Sequence, residues 1–230
     1  MNKIKLVNAA LALSLMAPIS SASAALVLIG TGNTVDFFYN DTDAGTAEYG
    51  LLQVVGDTVY ATPSFEVSSA NGEGTVIDSN IGSIYVVAHD GFSFTGVDLI
   101  ESGTYSTTGN GSVNIEGNLQ VLDSNNPFTF DNTNPLSFSD LSAPGINSWQ
   151  GSLSYDMTTA MWSNTSAIQL TLTNILYATS PDAGSTAYIN QTLTGSNIGM
   201  QINTIPVPAA VWLFGSGLIG LAGVARRKKS

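Results

Sequence analysis

The chain has no cysteine, a single histidine, and no lysine or arginine anywhere between residues 6 and 225. Each absence removes a class of chemistry. Without cysteine there is no disulfide framework, so the fold must rest on its core and on any ions it binds. One histidine and no thiol cannot supply the usual zinc ligand set. A long stretch free of cations lacks the ordinary means of holding phosphate, which disfavours nucleic-acid binding.

What basic charge exists lies at the two ends: Lys3 and Lys5, then Arg226, Arg227, Lys228 and Lys229. All seventeen Asp and Glu residues fall between Asp36 and Asp182, so the middle carries a formal charge of −17 against −11 for the whole chain. A partition this sharp is expected when the ends are addresses and the middle is the product.

Residues 1–24 have the layout of a secretory signal. Lys3 and Lys5 precede an apolar run from Leu6 to Ala17, then Pro18, and Ala22-Ser23-Ala24 supplies a small-residue cleavage pattern. The run is too short for the roughly 20 residues that span hydrocarbon, so cleavage is the better reading than a retained anchor. At the other end Pro206 to Ala225 is free of charge and long enough, as a helix, to cross a bilayer core. Arg226, Arg227, Lys228 and Lys229 follow at once and orient such a helix with its end inside the cell and the acidic segment outside. A buried core helix is the alternative, but it would close a globular domain on four consecutive cations. Gly215-Ser216-Gly217-Leu218-Ile219-Gly220 matches the dinucleotide-binding pattern, yet no strand precedes it in a βαβ unit, and glycines in a membrane helix serve close packing instead.

Residues 205–229, Ile-Pro-Val-Pro-Ala-Ala-Val-Trp-Leu-Phe-Gly-Ser-Gly-Leu-Ile-Gly-Leu-Ala-Gly-Val-Ala-Arg-Arg-Lys-Lys, resemble the tail of PEP-CTERM sorting proteins. That family joins a short proline motif to a membrane helix and a basic end. Val207 stands where the family name specifies Glu, as in a VPxP-type variant. The resemblance implies removal of the tail near Pro206 and Pro208 by an exosortase, an integral-membrane cysteine peptidase. It also implies export in a Gram-negative bacterium that makes exopolysaccharide, and an association with biofilm. It covers about the last tenth of the chain and bears on destination and processing alone.

The chain therefore divides into a signal peptide (1–24), an acidic β-rich extracytoplasmic domain (25–204) and a C-terminal sorting signal (205–230). The middle reads as all-β, a single β-sandwich or jelly-roll-like domain. In Ile168-Gln169-Leu170-Thr171-Leu172-Thr173 the apolar residues share one face, the period of a half-buried strand. Further strands are expected at Leu26 to Ile29, Asp36 to Tyr39, Leu51 to Val55, Ser64 to Val67, Ile84 to Ala88, Phe92 to Phe94, Ala187 to Asn190 and Ile198 to Ile202. Gly117-Asn118, between Val113–Glu116 and Leu119–Val121, predicts a tight hairpin, and Asn110-Gly111 a preceding turn. The Asn-, Ser- and Pro-rich segment from Asp123 to Ser148 reads as a surface excursion or a ragged edge hairpin.

Candidate sites are few. His89 sits between an apolar run and Asp90-Gly91, as a polar residue at a strand end does, and no Gly-x-Ser-x-Gly accompanies it. Asp41, Asp43 and Glu48 crowd one loop with the composition of a calcium site but without EF-hand spacing, so a plain solvated turn is the other reading. Trp149 and Trp162 belong in a core or stack on sugar rings. The function expected is a non-enzymatic surface or matrix protein associated with exopolysaccharide, with signal peptidase and exosortase as its processing partners. The alternative is a polysaccharide-acting enzyme built on an acidic pair. N-terminal sequencing of envelope material should begin at Ala25, and a sequence starting at Met1 would exclude the signal reading.

Overall fold

The computed structural model of the chain describes residues 25–42, 49–126, 130–131, 134–191 and 198–207. The expected signal peptide (1–24), Asp43, Glu48, Pro208 and the apolar and basic tail lie outside the described residues. Among the described residues no helix is long and apolar enough to cross a membrane.

The described chain is all-β, apart from a short 3₁₀ turn at Ala160–Trp162. One six-stranded sheet runs in the order β1 (Leu26–Thr31), β2 (Val35–Asn40), β6 (Gly74–Ala88), β12 (Ala167–Ser180), β8 (Ser112–Asp123) and β9 (Phe130–Asp131). The second, eight-stranded sheet runs β10 (Ser137–Phe138), β11 (Gly145–Asp156), β7 (Phe92–Thr108), β14 (Ile198–Pro206), β4 (Thr58–Thr62) and β3 (Leu51–Val55). Two more of its strands, β5 (Glu66–Ala70) and β13 (Thr186–Asn190), join through the pairing of β13 with β7. Every strand pair is antiparallel, which lets each sheet bury one face and wet the other.

The period-two pattern accounts for the packing. Along β12, Ile168, Leu170, Leu172, Leu176 and Ala178 are buried, and Ile84, Val86, Leu119 and Val121 on its neighbours β6 and β8 face the same way. Phe94, Val97, Leu99 and Tyr105 of β7 come from the opposite sheet. The apolar interior forms two clusters rather than one. Leu119, Val121, Leu170, Leu172, Val97 and Leu99 lie in the larger, while Ile115, Tyr105, Leu176 and Trp149 lie in the smaller.

The level between the clusters is where inward positions stop being apolar. β12 carries Asn174 there, β7 Glu101, β6 Asn80, β8 Gly117 and β11 Gly151, and the registers align Asn174 with both Asn80 and Gly117 and Glu101 with Gly151. On the same level the second sheet changes partner. β14 pairs with β7 from Phe92 to Ile100, β13 takes over at Thr104, and Glu101 to Gly103 occupy the gap.

This corrects one expectation. Gly117-Asn118 is no hairpin turn: Ser112 to Asp123 is one continuous strand along β12. Gly117 is there for space. A Cβ on it would stand 2.9 Å from Asn174 Oδ1 and 3.0 Å from the Phe138 ring. The turn signal at Asn110-Gly111 does mark a turn, which carries the chain from β7 in one sheet to β8 in the other. The Asn- and Pro-rich segment supplies one edge strand of each sheet, β9 and β10, where prolines are tolerated. β14 runs through Pro206, two residues past the boundary expected at 204. In that half it pairs with β7 alone, and a residue without N–H is admitted where one side of a strand is free.

Replacing Gly117 by Ala tests the packing role. At an ordinary strand position the change would be neutral or stabilising, whereas here it should lower unfolding stability by about 1–3 kcal/mol because the new methyl meets Asn174 and Phe138. Urea denaturation checks it.

Candidate functional site

In a segment without lysine or arginine, each carboxylate must be held by neutral donors or by water. Asp57 accepts from Thr34 N and Oγ1 at 2.9 and 2.8 Å, and Asp98 from Ser154 Oγ and Asn203 Nδ2, both at 2.6 Å. Asp123 takes Thr165 Oγ1 at 2.7 Å and Asn125 N at 2.8 Å, and Glu66 takes the Tyr188 hydroxyl at 2.6 Å. Exposed Asp140, Asp156 and Asp182 are pulled below the usual carboxylate range by hydrogen bonds from Ser142, Thr158 and Asn110 respectively. The abundance of Ser, Thr and Asn thus has a structural use: these side chains do the work that ammonium and guanidinium groups do elsewhere.

His89 follows the last residue of β6, and its Nε2 lies 3.1 Å from Asp36 Oδ1 on β2. Both side chains are about a third exposed. The hydrogen bond from His89 is the main cause that lowers Asp36 below its usual value. His89 N also donates to Thr34 O at 2.8 Å, so the residue fastens the end of β6 to the β1–β2 turn.

The tryptophans are core residues. Trp149 and Trp162 are each 2% exposed, so neither offers a ring face to a sugar, and the stacking role expected as an alternative is not available to them. Trp149 donates through Nε1 to Asn190 O at 3.0 Å and meets Phe138 edge-on at 6.1 Å. Trp162 meets Tyr155 edge-on at the same spacing. Of the calcium candidates only Asp41 is described. It is exposed in a turn that Asn40 organises by accepting from Thr42 N and Oγ1. Of the residues expected to direct processing, Ala22, Ala24, Pro206 and Pro208, only Pro206 is described: it is exposed, and Val207 N donates to Gly91 O at 2.7 Å just beyond it.

The most perturbed group is Glu101, which the expectations passed over. It is 0% exposed. Its Oε2 accepts from Asn174 Nδ2 of the facing sheet at 2.8 Å and from Gln191 Nε2, just after β13, at 2.7 Å. Burial pushes its carboxyl up to about 7, against the opposing pull of the two amide bonds. Glu101 Oε1, Asn174 Oδ1, Gln191 Oε1 and Asn80 Oδ1 are all buried without a donor. A signal for this cluster was present in the pattern. Asn174 breaks the apolar series Ile168, Leu170, Leu172, Leu176, and Glu101 continues the inward parity of Val97 and Leu99, so both were marked as interior polar residues.

No protein-family model matches the chain, and no curated protein matches it.

Calcium binding at the loop containing Asp41, Asp43 and Glu48 has a direct check. Millimolar calcium should raise Tm by the amount that RT ln(1 + [L]/Kd) allows, and more than magnesium does at equal ionic strength. An equal rise with both ions would mean charge screening alone.

Proposed function

We propose that this is an exported, non-enzymatic domain displayed at the cell surface or in the extracellular matrix, in association with exopolysaccharide. In this reading signal peptidase removes residues 1–24 and an exosortase-type membrane peptidase detaches the sorting tail. The observation that carries it is the way the chemically capable groups are used. Among the described residues the one strongly perturbed acid is sealed between two sheets, and the single histidine is tied to Asp36 at a strand end. The remaining carboxylates described above are engaged by hydroxyl and amide donors in local turns and cross-strand bonds. Outward positions carry uncharged hydroxyls that pair across strands, as Thr75 with Thr179 at 2.9 Å and Thr108 with Thr186 at 2.7 Å. A hydrated, neutral-to-acidic surface of this kind suits residence in a polysaccharide matrix, with no cation to bind anionic polymers indiscriminately.

The β-structure begins close to the expected signal cleavage point and ends two residues inside the expected sorting tail. β1 starts two residues after Ala24, and β14 ends at Pro206 in register with Phe92. Pro206 is exposed at the last position of its strand, so its replacement by Ala leaves the core untouched.

Two measurements test the proposal. Converting Pro206 and Pro208 to Ala should leave an uncut precursor in the membrane fraction with the domain still folded. Wild-type protein found only at full tail length, in cells that contain an exosortase, would overturn the processing step. The secreted species should co-sediment with the producer's own polysaccharide without shortening it, and turnover of that polymer would replace the non-enzymatic reading with an enzymatic one.

A further inference from the structure

The two sheets meet at one level through a carboxyl group and a primary amide. Asn174 Nδ2 donates to Glu101 Oε2 at 2.8 Å. The other oxygens of the same two groups, Glu101 Oε1 and Asn174 Oδ1, are both buried and both without a donor. They lie 3.3 and 2.9 Å from the single point where a Cβ on Gly117 would stand, and the Phe138 ring closes that point at 3.0 Å. A carboxylic acid facing a primary amide can bond twice, the amide N–H to the acid's carbonyl oxygen and the acid O–H to the amide oxygen. An ionised carboxylate can make only the first of these bonds, and it leaves both of those buried acceptor oxygens without a donor.

We propose that Glu101 and Asn174 form a neutral acid–amide pair, a proton-operated tie that joins the two sheets and loosens when the proton leaves.

Three observations converge on it. Oε2 already accepts from both Asn174 and Gln191, so the proton belongs on Oε1, the oxygen that lacks a donor. The chain holds no lysine or arginine between residues 6 and 225 that could neutralise a buried carboxylate. The packing of Phe138 against Gly117 and Gly151 fills the space beside the pair. Among the described residues that register and contact place against Glu101, none is titratable, and buried Tyr49 spends its hydroxyl on Leu172 O at 3.0 Å. Toward Glu101 the packed elements present Asn174 from β12, Asn80 from β6, Gly117 from β8, Gly151 from β11 and Phe138 from β10, and Gln191 follows β13. Tyr105, further along β7 on the same inward face, is the nearest titratable residue of its own strand on that face.

The direction of the pH effect follows. The folded carboxyl holds its proton up to about 7, whereas the unfolded chain releases it near 4.5. The folded state therefore binds more protons between these values, and the tie's contribution is full below the lower one and lost as pH rises through the upper one. This is the reverse of Asp36, Asp140, Asp156 and Asp182, whose lowered values make their contributions disappear on acidification.

The test is urea unfolding of the full chain in mild detergent at pH 5 and pH 8, for wild type and Glu101→Gln. Wild type should show an unfolding constant larger at pH 8 by on the order of a hundredfold from this group. Gln at position 101 accepts through its oxygen and donates its amide to Asn174 Oδ1, so the variant keeps both bonds at every pH. It should lose most of that slope and be the more stable protein at pH 8. Equal slopes in the two proteins would overturn the proposal. If the variant fails to fold, infrared spectra of ¹³C-glutamate-labelled wild type decide: a protonated-acid carbonyl band at pH 6 that disappears above pH 8 supports the tie, and its absence at pH 6 overturns it.

Discussion

The absence of any fixed cation between residues 6 and 225 is the constraint from which most of the structure follows. A carboxylate in water loses little by having no salt bridge, since exposed pairs contribute about 0–1 kcal/mol. For Asp140, Asp156 and Asp182 a nearby hydroxyl or amide is enough. The same constraint becomes severe with burial, because an isolated charge in a low-dielectric interior is far costlier than a neutral acid. Glu101 sits at that extreme, and everything around it is uncharged: two amide donors, two glycines and one aromatic ring.

Register shows why a polar level in the core matters. The alternation of Ile168, Leu170, Leu172, Leu176 and Ala178 rejects a one-residue slip of β12, since that would turn the whole set outward. It does not reject a slip of two residues, which keeps apolar side chains inside. Such a slip would carry Asn174 away from Glu101 and Gly117 and leave the carboxyl facing a leucine. The polar level therefore distinguishes arrangements that hydrophobic patterning treats as equivalent. The change of partner on β7 falls at the same level, where Gly103 lets the chain come so close to the Asn190 carbonyl that a Cβ would overlap it.

The sequence is most informative where one physical rule acts alone. Alternation located Leu51 to Val55 to the residue; it found one end of β1, β13 and β14 and the core of β2. Long strands were seen only in part, as in Ile84 to Ala88 for β6 and Phe92 to Phe94 for β7, because inward Asn80, Gly96, Glu101 and Gly103 interrupt the apolar series. Gly117-Asn118 misled for a related reason. A dipeptide that supplies turn geometry looks the same as one that supplies empty volume until the facing strand is known. Asn174 and Glu101 were visible as breaks in parity, but their meeting spans two sheets and 73 residues of chain, a relation no local pattern carries.

The end of the fold constrains how the chain can be processed. β14 lies between β7 and β4, and its residues up to Pro206 are paired with β7. A cut inside Ile198–Pro206 would strip an internal strand from the second sheet, together with buried Ile198, Met200 and Ile202. Val207 N donates to Gly91 O just past the strand, which fastens the last described residue to the start of β7. A peptidase acting at Pro206 would therefore have to pull the strand end off β7, whereas a cut beyond Val207 leaves every paired residue of β14 in place. For a proline motif to work as a cleavage signal without unfolding the domain, recognition can involve exposed Pro206, but the bond broken has to lie on its C-terminal side.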